Sequence, residues 1–370
     1  MSRLTRSVWA EVSLDNIAYN VQQICGVIGT HCQLMAVVKA NAYGHGALEV
    51  AHTLLSNGTQ WLAVALPEEG VRLRRAGIGA PILVLGALSA EELEVCVAKD
   101  LSVTVFEPHI AQLLSRAACR LEKTARVHIK VDTGMGRLGL SPHEALDLVE
   151  MVQELPGLEI QGVFTHFACA DCSDLEYTQW QWGRFQQLMH ELQNRRVSIP
   201  YYHAANTAAT LFFPQSHLDI ARVGLALYGM YPDHRRPIEL RPALSLRTKV
   251  AFVKRVPAGS AISYESTYVT WKETSIAVLP IGYADGLSRQ LSNKGVVLIK
   301  GTACPIVGRV TMDHTMVDVG DLPVQIGDDV VLIGEDGSLA VTADDWARWN
   351  GTINYEVTCM LSSRVERVYV

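Results

Sequence analysis

The chain has 370 residues, 49% of them hydrophobic, enough for a large buried core and about two domains. A formal net charge of -6 with no basic block excludes an electrostatic footprint for nucleic acid or an anionic membrane surface, which leaves small molecules as the expected partners. No apolar run is long enough to span a bilayer and residues 1–10 lack an apolar signal core, so a cytoplasmic protein is expected.

In chain order, Val8-Trp-Ala-Glu-Val12 alternates as a short strand does. From Asp15 onward, short apolar runs alternate with helical patterns: Leu34–Val38, Trp61–Leu66, Ile82–Leu85, Leu101–Phe106, Val127–Val131, Ile160–Phe164, Tyr201–His203 and Leu218–Ala221. Helix starts are marked by Ser89-Ala-Glu-Glu92 and Ser141-Pro-His-Glu144, where a hydroxyl is followed three residues on by a glutamate. Eight strand–helix units in about 230 residues match a (β/α)8 TIM-type barrel, with a doubly wound open sheet as the rival. Near Arg241 the rhythm changes to short Val/Thr/Ile segments punctuated by Gly, Pro and Asp, with helix signals only around Asp344–Trp349. The expectation is an α/β barrel over residues 12–238, carrying the chemistry, and a mostly β domain over residues 239–370. The N-terminal strand within residues 1–11 is expected to join the second domain.

Barrel active sites form at the C-terminal ends of strands. Lys39 follows the first run. Lys130, Asp132 and Arg137 lie at or beyond the fifth, His166 after the sixth, His203, Asn206 and Thr207 after the seventh, and Arg222 after the eighth. Basic groups recur and acidic ones are few. The loops after strands seven and eight are the usual phosphate site of such barrels, and Gly224 would let backbone N–H groups approach an anion. A lysine amine beside a phosphate cradle points to pyridoxal phosphate, held by a Schiff base. Neither G-x-G-x-x-G nor G-x-x-x-x-G-K-[ST] follows any expected strand, so the nucleotide fingerprints are missing.

Cys25, Cys32, Cys96, Cys119, Cys304 and Cys359 lie in apolar stretches and are expected to be reduced and buried. Cys169 and Cys172 have a C-x-x-C spacing without a second ligand pair, and no metal site is expected. Trp180 and Trp182 are expected to pack a helix.

The segment Ala36-Val-Val-Lys-Ala-Asn-Ala-Tyr-Gly-His-Gly46 resembles the cofactor-lysine segment of alanine racemases. Further segments resemble that family in its order across nearly the whole chain, among them Lys130-Val-Asp-Thr-Gly-Met-Gly-Arg-Leu-Gly139, Arg222-Val-Gly-Leu-Ala-Leu-Tyr-Gly229, Ser263-Tyr264, Val307-Gly-Arg-Val-Thr-Met-Asp313 and Ile353-Asn-Tyr-Glu356. The resemblance implies an isomerase that interconverts L- and D-alanine, supplies D-alanine for peptidoglycan, and works as a homodimer with shared active sites. It implies pyridoxal phosphate on Lys39, with Tyr43, Thr207, Gly224, Leu225 and Tyr355 at its phosphate. Arg222 would face the pyridine nitrogen, with His166 behind it. Arg137 and the Met312 N–H would receive the substrate carboxylate. Asp171, Tyr283 and Arg309 would line the entrance, and Lys130 matches a lysine often carbamylated in this family.

Racemisation needs a base on each face of a planar intermediate, and the resemblance assigns these roles to Lys39 and Tyr264. An ordinary tyrosine is only about one part in a thousand ionised at pH 7, so Tyr264 needs electropositive surroundings. Arg222 should leave the pyridine nitrogen unprotonated and so suppress transamination. Serine racemases of the same fold are the nearest rival, against which the bulk of Tyr355 speaks. More distant alternatives are decarboxylases sharing the fold and a non-catalytic pyridoxal-phosphate-binding protein. The chain departs from the family at Glu265, where glycine is usual after the tyrosine; its side chain is expected to face solvent and do little.

Overall fold

The computed structural model describes residues 6–370, so residues 1–5 of the expected N-terminal strand lie outside the described residues. The chain divides into two compact units. One comprises Asn16–Ala42 and Ala47–Arg241; the other comprises the described residues up to Asp15, Tyr43–Gly46 and Pro242–Val370.

The strands are β1 (Val8–Val12), β2 (Gln33–Val37), β3 (Trp61–Val64), β4 (Ile82–Val84), β5 (Ser102–Val105), β6 (Ala125–Lys130), β7 (Leu158–Phe164), β8 (Tyr201–His203) and β9 (Ile220–Val223), followed by those of the C-terminal region. The first unit is a parallel eight-stranded sheet ordered β8-β7-β6-β5-β4-β3-β2-β9. It curls toward closure, with Asp219 N donating to Tyr202 O at 3.1 Å and Arg222 N to Ala205 O at 3.0 Å. Helices cover each strand from outside, so β3, β4 and β5 are buried at every residue; β3 and β4 read as continuous apolar runs, while β5 also buries Ser102 and Thr104. Ser89 and Ser141 cap the helices Ala90–Ala98 and Pro142–Glu154, and the backbone N–H of each donates to the carboxylate of the glutamate three residues on.

The eighth run differs from expectation by two residues. Leu218 adopts a left-handed conformation (φ 51), so extended structure starts only at Ile220 and Arg222 stands inside the strand, not after it.

The other unit holds a seven-stranded sheet in which β1 pairs antiparallel with Leu244–Lys249 and parallel with Glu366–Tyr369. Leu244–Lys249 and Thr315–Gly320 bury alternate residues, as strands with a single core face do. A two-stranded hairpin, Ala261–Ile262 with Tyr268–Val269, carries Tyr264 in its connection. Thr342 caps the expected helix, Ala343–Asn350. A second short helix, Asn354–Cys359, has no side-chain cap and so left no start signal in the sequence. Cys119 and Cys359 are exposed, because each ends a helix at the surface, while Cys32, Cys96 and Cys304 are buried as expected. Trp182 packs as expected, but Trp180 is half exposed under the Arg184 guanidinium.

Candidate active site

The C-terminal ends of the barrel strands concentrate positive charge. Lys39 follows β2, Lys130 closes β6 and Arg222 lies in β9. Arg137 rides on the loop between Val131 and Leu140, whose ends are tied by Asp132 N to Leu140 O at 2.7 Å. The Asp132 carboxylate folds this loop by accepting from Gly134 N (2.8 Å) and Gly136 N (3.0 Å). Helix Glu176–Asn194 pins it from outside: Tyr177 donates to Gly134 O (2.8 Å) and Arg184 to Thr133 O (3.2 Å). From the same helix, buried Gln181 donates to His166 O at 3.1 Å and accepts from Ala168 N at 2.9 Å. Sequence reasoning missed Gln181, because a glutamine among helical aromatics carries no local signal.

Each cation here is felt by the others. Burial first, then Arg137 and Arg222, push the Lys130 ammonium down to about 8, with Asp132 opposing and Lys39 adding. Burial and then Arg222, Arg137, Lys130 and Lys39 hold His166 well below the usual histidine range. Burial and Arg137 bring Arg222 down to about 9, still protonated at neutral pH. A crowd of cations in a desolvated mouth is relieved by an anion, so the barrel end is suited to a phosphate or a carboxylate.

Arg222 is the most constrained of them. Nη2 donates to Thr165 O (2.8 Å) and Ala204 O (3.0 Å) and lies 3.3 Å from His166 Nδ1. Nη1 lies 3.0 Å from His203 Nδ1, and the guanidinium sits over the Phe164 ring. Its Nε–H has no acceptor among the described residues. Behind it, buried His203 contacts His128 (2.9 Å), which contacts Gln161 (3.4 Å), which accepts from Ser102 (2.8 Å). His203 was expected after its strand; it is the last residue of β8 and points into the core.

Beyond Lys39 the backbone takes a left-handed turn through Ala40, Asn41, Ala42 and Tyr43 (φ 51, 55, 54 and 52). Consecutive non-glycine residues in this region cost about 1–2 kcal/mol each, so other contacts must hold them. Glu69 supplies one: its carboxylate accepts from Ala40 N (2.6 Å), Ala65 N (2.8 Å) and Leu66 N (3.2 Å), bracing the exit of β2 against that of β3. Asn41 Oδ1 accepts from Ala47 N at 2.9 Å. Glu69 too was missed, although its place in the first turn of a helix that opens with Pro67 is a sequence signal for backbone capping.

Thr207 follows the Asn206 cap of helix Thr207–Phe212, and its hydroxyl accepts from Gly224 N at 3.1 Å. The loops after β8 and β9 are therefore joined, with the Gly224 N–H engaged by Thr207. Leu225 opens the next helical turn and is fully buried. Asp171 lies on an exposed loop whose carbonyl accepts from Arg235 at 2.9 Å.

The remaining candidates belong to the other unit. Tyr43 and Tyr355 stand with ring centroids 6.0 Å apart, and burial, with Tyr355 and Cys359 adding, raises the Tyr43 hydroxyl far above the usual tyrosine range, so it remains a donor. Gly44 (φ 86) follows where a Cβ would collide with the Thr358 carbonyl, so only glycine fits. Tyr264 is 71% exposed, Tyr283 43% and Met312 53%, an unusual surface for large apolar side chains. The Met312 N–H makes no hydrogen bond among the described residues. Arg309 is engaged by Glu265. Buried Asp285 holds the turn of Tyr283 by accepting from Gly282 N at 3.0 Å, and it pairs with Arg6 and Arg364.

Comparison with known proteins finds relatives that match along the whole chain. Residues 12–232 match the family model of the alanine racemase N-terminal domain and residues 243–369 that of the alanine racemase C-terminal domain. Alanine racemase of Halothermothrix orenii is 47% identical over 370 residues, covering 99% of this chain and 98% of that protein. The solved alanine racemase of Clostridium difficile aligns with a TM-score of 0.95 at 40% identity, over 100% of this chain and 97% of that one. That of Bacillus anthracis with bound L-Ala-P gives 0.95 at 40% identity, over 100% and 96%. A family match over both units, together with relatives this similar along their full length, establishes that the chain belongs to the alanine racemase family.

Proposed function

We propose that this protein is an alanine racemase that uses pyridoxal phosphate on Lys39 to interconvert L- and D-alanine, providing D-alanine for peptidoglycan. Arg222 carries the reading: a buried guanidinium, oriented by four partners and with Nε–H left over, fits a pyridine nitrogen that is to stay unprotonated. The surrounding cations and the protonated Tyr43 hydroxyl fit an anionic cofactor. When bound, pyridoxal phosphate would supply an electrophilic carbon for the substrate amino group and an electron sink that acidifies the α-hydrogen.

The protein's own groups do the rest. Thr207, Gly224, Leu225, Tyr43 and Tyr355 are assigned to the phosphate, and His166 supports Arg222. Arg137 and the Met312 N–H receive the substrate carboxylate. Lys39 Nζ takes or returns the α-proton on one face and Tyr264 Oη on the other, with Lys39 serving the D-enantiomer. Tyr264 is assigned to a second copy of the chain in a homodimer; the exposure of Tyr264, Tyr283 and Met312 supports a surface that a partner covers. Asp171, Tyr283 and Arg309 are assigned to the entrance. A cytoplasmic location accords with the finding that no helix among the described residues is long and apolar enough to cross a membrane.

Turnover of both enantiomers of alanine, serine and larger amino acids tests this, with cofactor absorbance in wild type and Lys39→Ala. Alanine should lead, and Lys39→Ala should lose the lysine-bound absorbance. Serine turning over faster would overturn the specificity. For the face assignment, Tyr264→Phe should slow α-hydrogen exchange of L-alanine more than of D-alanine; equal loss would refute it.

A further inference from the structure

Tyr264 sits in a strained connection. On either side of it Ser263 (φ 65), Glu265 (φ 62) and Ser266 (φ 49) all occupy the left-handed region, where non-glycine residues are uncommon and persist only if neighbouring structure holds them. The hairpin carrying this connection is only two residues long on each strand, too short to impose the conformation alone. The restraint comes from Arg309. Its Nη2 and Nε donate to Glu265 Oε2 at 2.7 and 3.0 Å, while its carbonyl accepts from Ser263 Oγ at 2.7 Å. Arg289 adds a longer contact to the other carboxylate oxygen at 3.4 Å. The residues before and after Tyr264 are thus both tied to one arginine. Approach of that arginine requires Gly308 (φ 73), where a Cβ would strike Ile262 O and Ser263 Cβ. Arg309, with Arg289, also holds the Glu265 carboxyl below the usual glutamate range, so it stays charged in the range where the enzyme would work.

We propose that Glu265 is a positioning residue for Tyr264: its ion pair with Arg309 fixes the Ser263–Ser266 turn and thereby the place of the Tyr264 hydroxyl. This rests on the assignment of Tyr264 as a base. A turn held by exposed charges is open to screening, so the position of that hydroxyl becomes salt-sensitive. The same pair removes Arg309 from the set of free charges on that surface. A base displaced by a fraction of an ångström loses rate without losing substrate affinity.

The test uses the holoenzyme with Glu265→Gln, Arg309→Gln, the double variant, Glu265→Gly and Tyr264→Phe, measuring kcat and KM for each enantiomer between low and high salt. Glu265→Gln should lower kcat about fivefold or more with KM little changed. It should also abolish the salt dependence of kcat that wild type shows. The double variant should be no worse than either single one, and Glu265→Gly, freed of the backbone strain, should recover part of the loss. Wild-type kcat in Glu265→Gln at every salt concentration, with Tyr264→Phe inactive, would overturn the clamp and leave Tyr264 as a base. Full activity in Tyr264→Phe would instead remove the assignment on which the proposal stands. Additive losses in the double variant would show that the two residues act separately and would also overturn it.

Discussion

His203 Nδ1 lies 3.0 Å from Nη1 of Arg222, both side chains buried in the barrel. A guanidinium only donates, so His203 accepts at Nδ1 and carries its hydrogen on Nε2. That hydrogen faces His128 Nδ1 at 2.9 Å, which must then accept, and the His128 Nε2 hydrogen goes to Gln161. Arg222 thereby sets the tautomers of two histidines and leaves neither a place for a second proton. In return, the chain Arg222–His203–His128–Gln161 fixes the guanidinium plane.

The pH dependence of stability should report this chain. Burial pushes His128 down to about 3, and burial with Arg222 and His128 holds His203 well below its ordinary value. Below the ordinary histidine value of about 6.5 the unfolded chain binds protons that the folded one refuses. The stability contribution is therefore complete above about 6.5 and is lost as pH falls toward the depressed folded values. Urea unfolding should show a shallower acid loss for His128→Gln, which can accept and donate but cannot titrate.

Arg222 should also govern the reaction's side products. With Arg222 at the pyridine nitrogen as proposed, Arg222→Glu would replace a permanent donor with a group able to share a proton there, which would strengthen the electron sink. The expected result is a racemase rate lower by about 10²-fold or more. Pyridoxamine phosphate should accumulate faster per turnover, and an unchanged partition between racemisation and transamination would contradict the role given to Arg222.

Lys130, brought down to about 8 by burial and its cationic neighbours, has a substantial neutral fraction at mildly alkaline pH. Its neutral amine can add carbon dioxide with loss of one N–H proton to solvent, and the resulting carbamate would place a negative group among Arg137, Arg222 and Lys39. Protein equilibrated with 13C-bicarbonate near pH 8 should show a carbamate resonance that Lys130→Arg lacks.

Glu69 holds the left-handed turn after Lys39 through Ala40 N. Glu69→Ala removes charge-assisted bonds to three N–H groups and should cost about 2–4 kcal/mol of stability. Cofactor release, followed by absorbance, should quicken in the variant. Glu69→Gln, which keeps acceptor oxygen, should fall between it and wild type.

The barrel was legible because each strand is a short apolar run and several helices open with a capping residue; these are local signals. Legibility failed where local signals ended. The eighth strand was displaced because Leu218 takes a positive φ that its side chain does not announce. Helix Asn354–Cys359 was not expected because no side chain caps it. Glu265 was expected to do little in solvent; it is exposed, yet Arg309 and Arg289 both reach it. Residues in recognisable motifs could be named as candidates from the sequence; the side chains that brace them in the structure, Glu69, Gln181, His128 and Gln161, could not.

Alternation, capping and motif order lie within a few residues of each other, and from them alone follow the eight strands, the change to β structure near Arg241 and the lysine at a strand exit. Closure of the barrel decided the rest. It brought His128 to His203 across 75 residues and Ser102 to Gln161 across 59, burying the first pair fully and the second in part, where each hydrogen needs an acceptor. Such pairings depend on which strand becomes a neighbour and on how far water is excluded. Those two conditions make Arg222 a fixed donor, lower Lys130 and leave both histidines neutral.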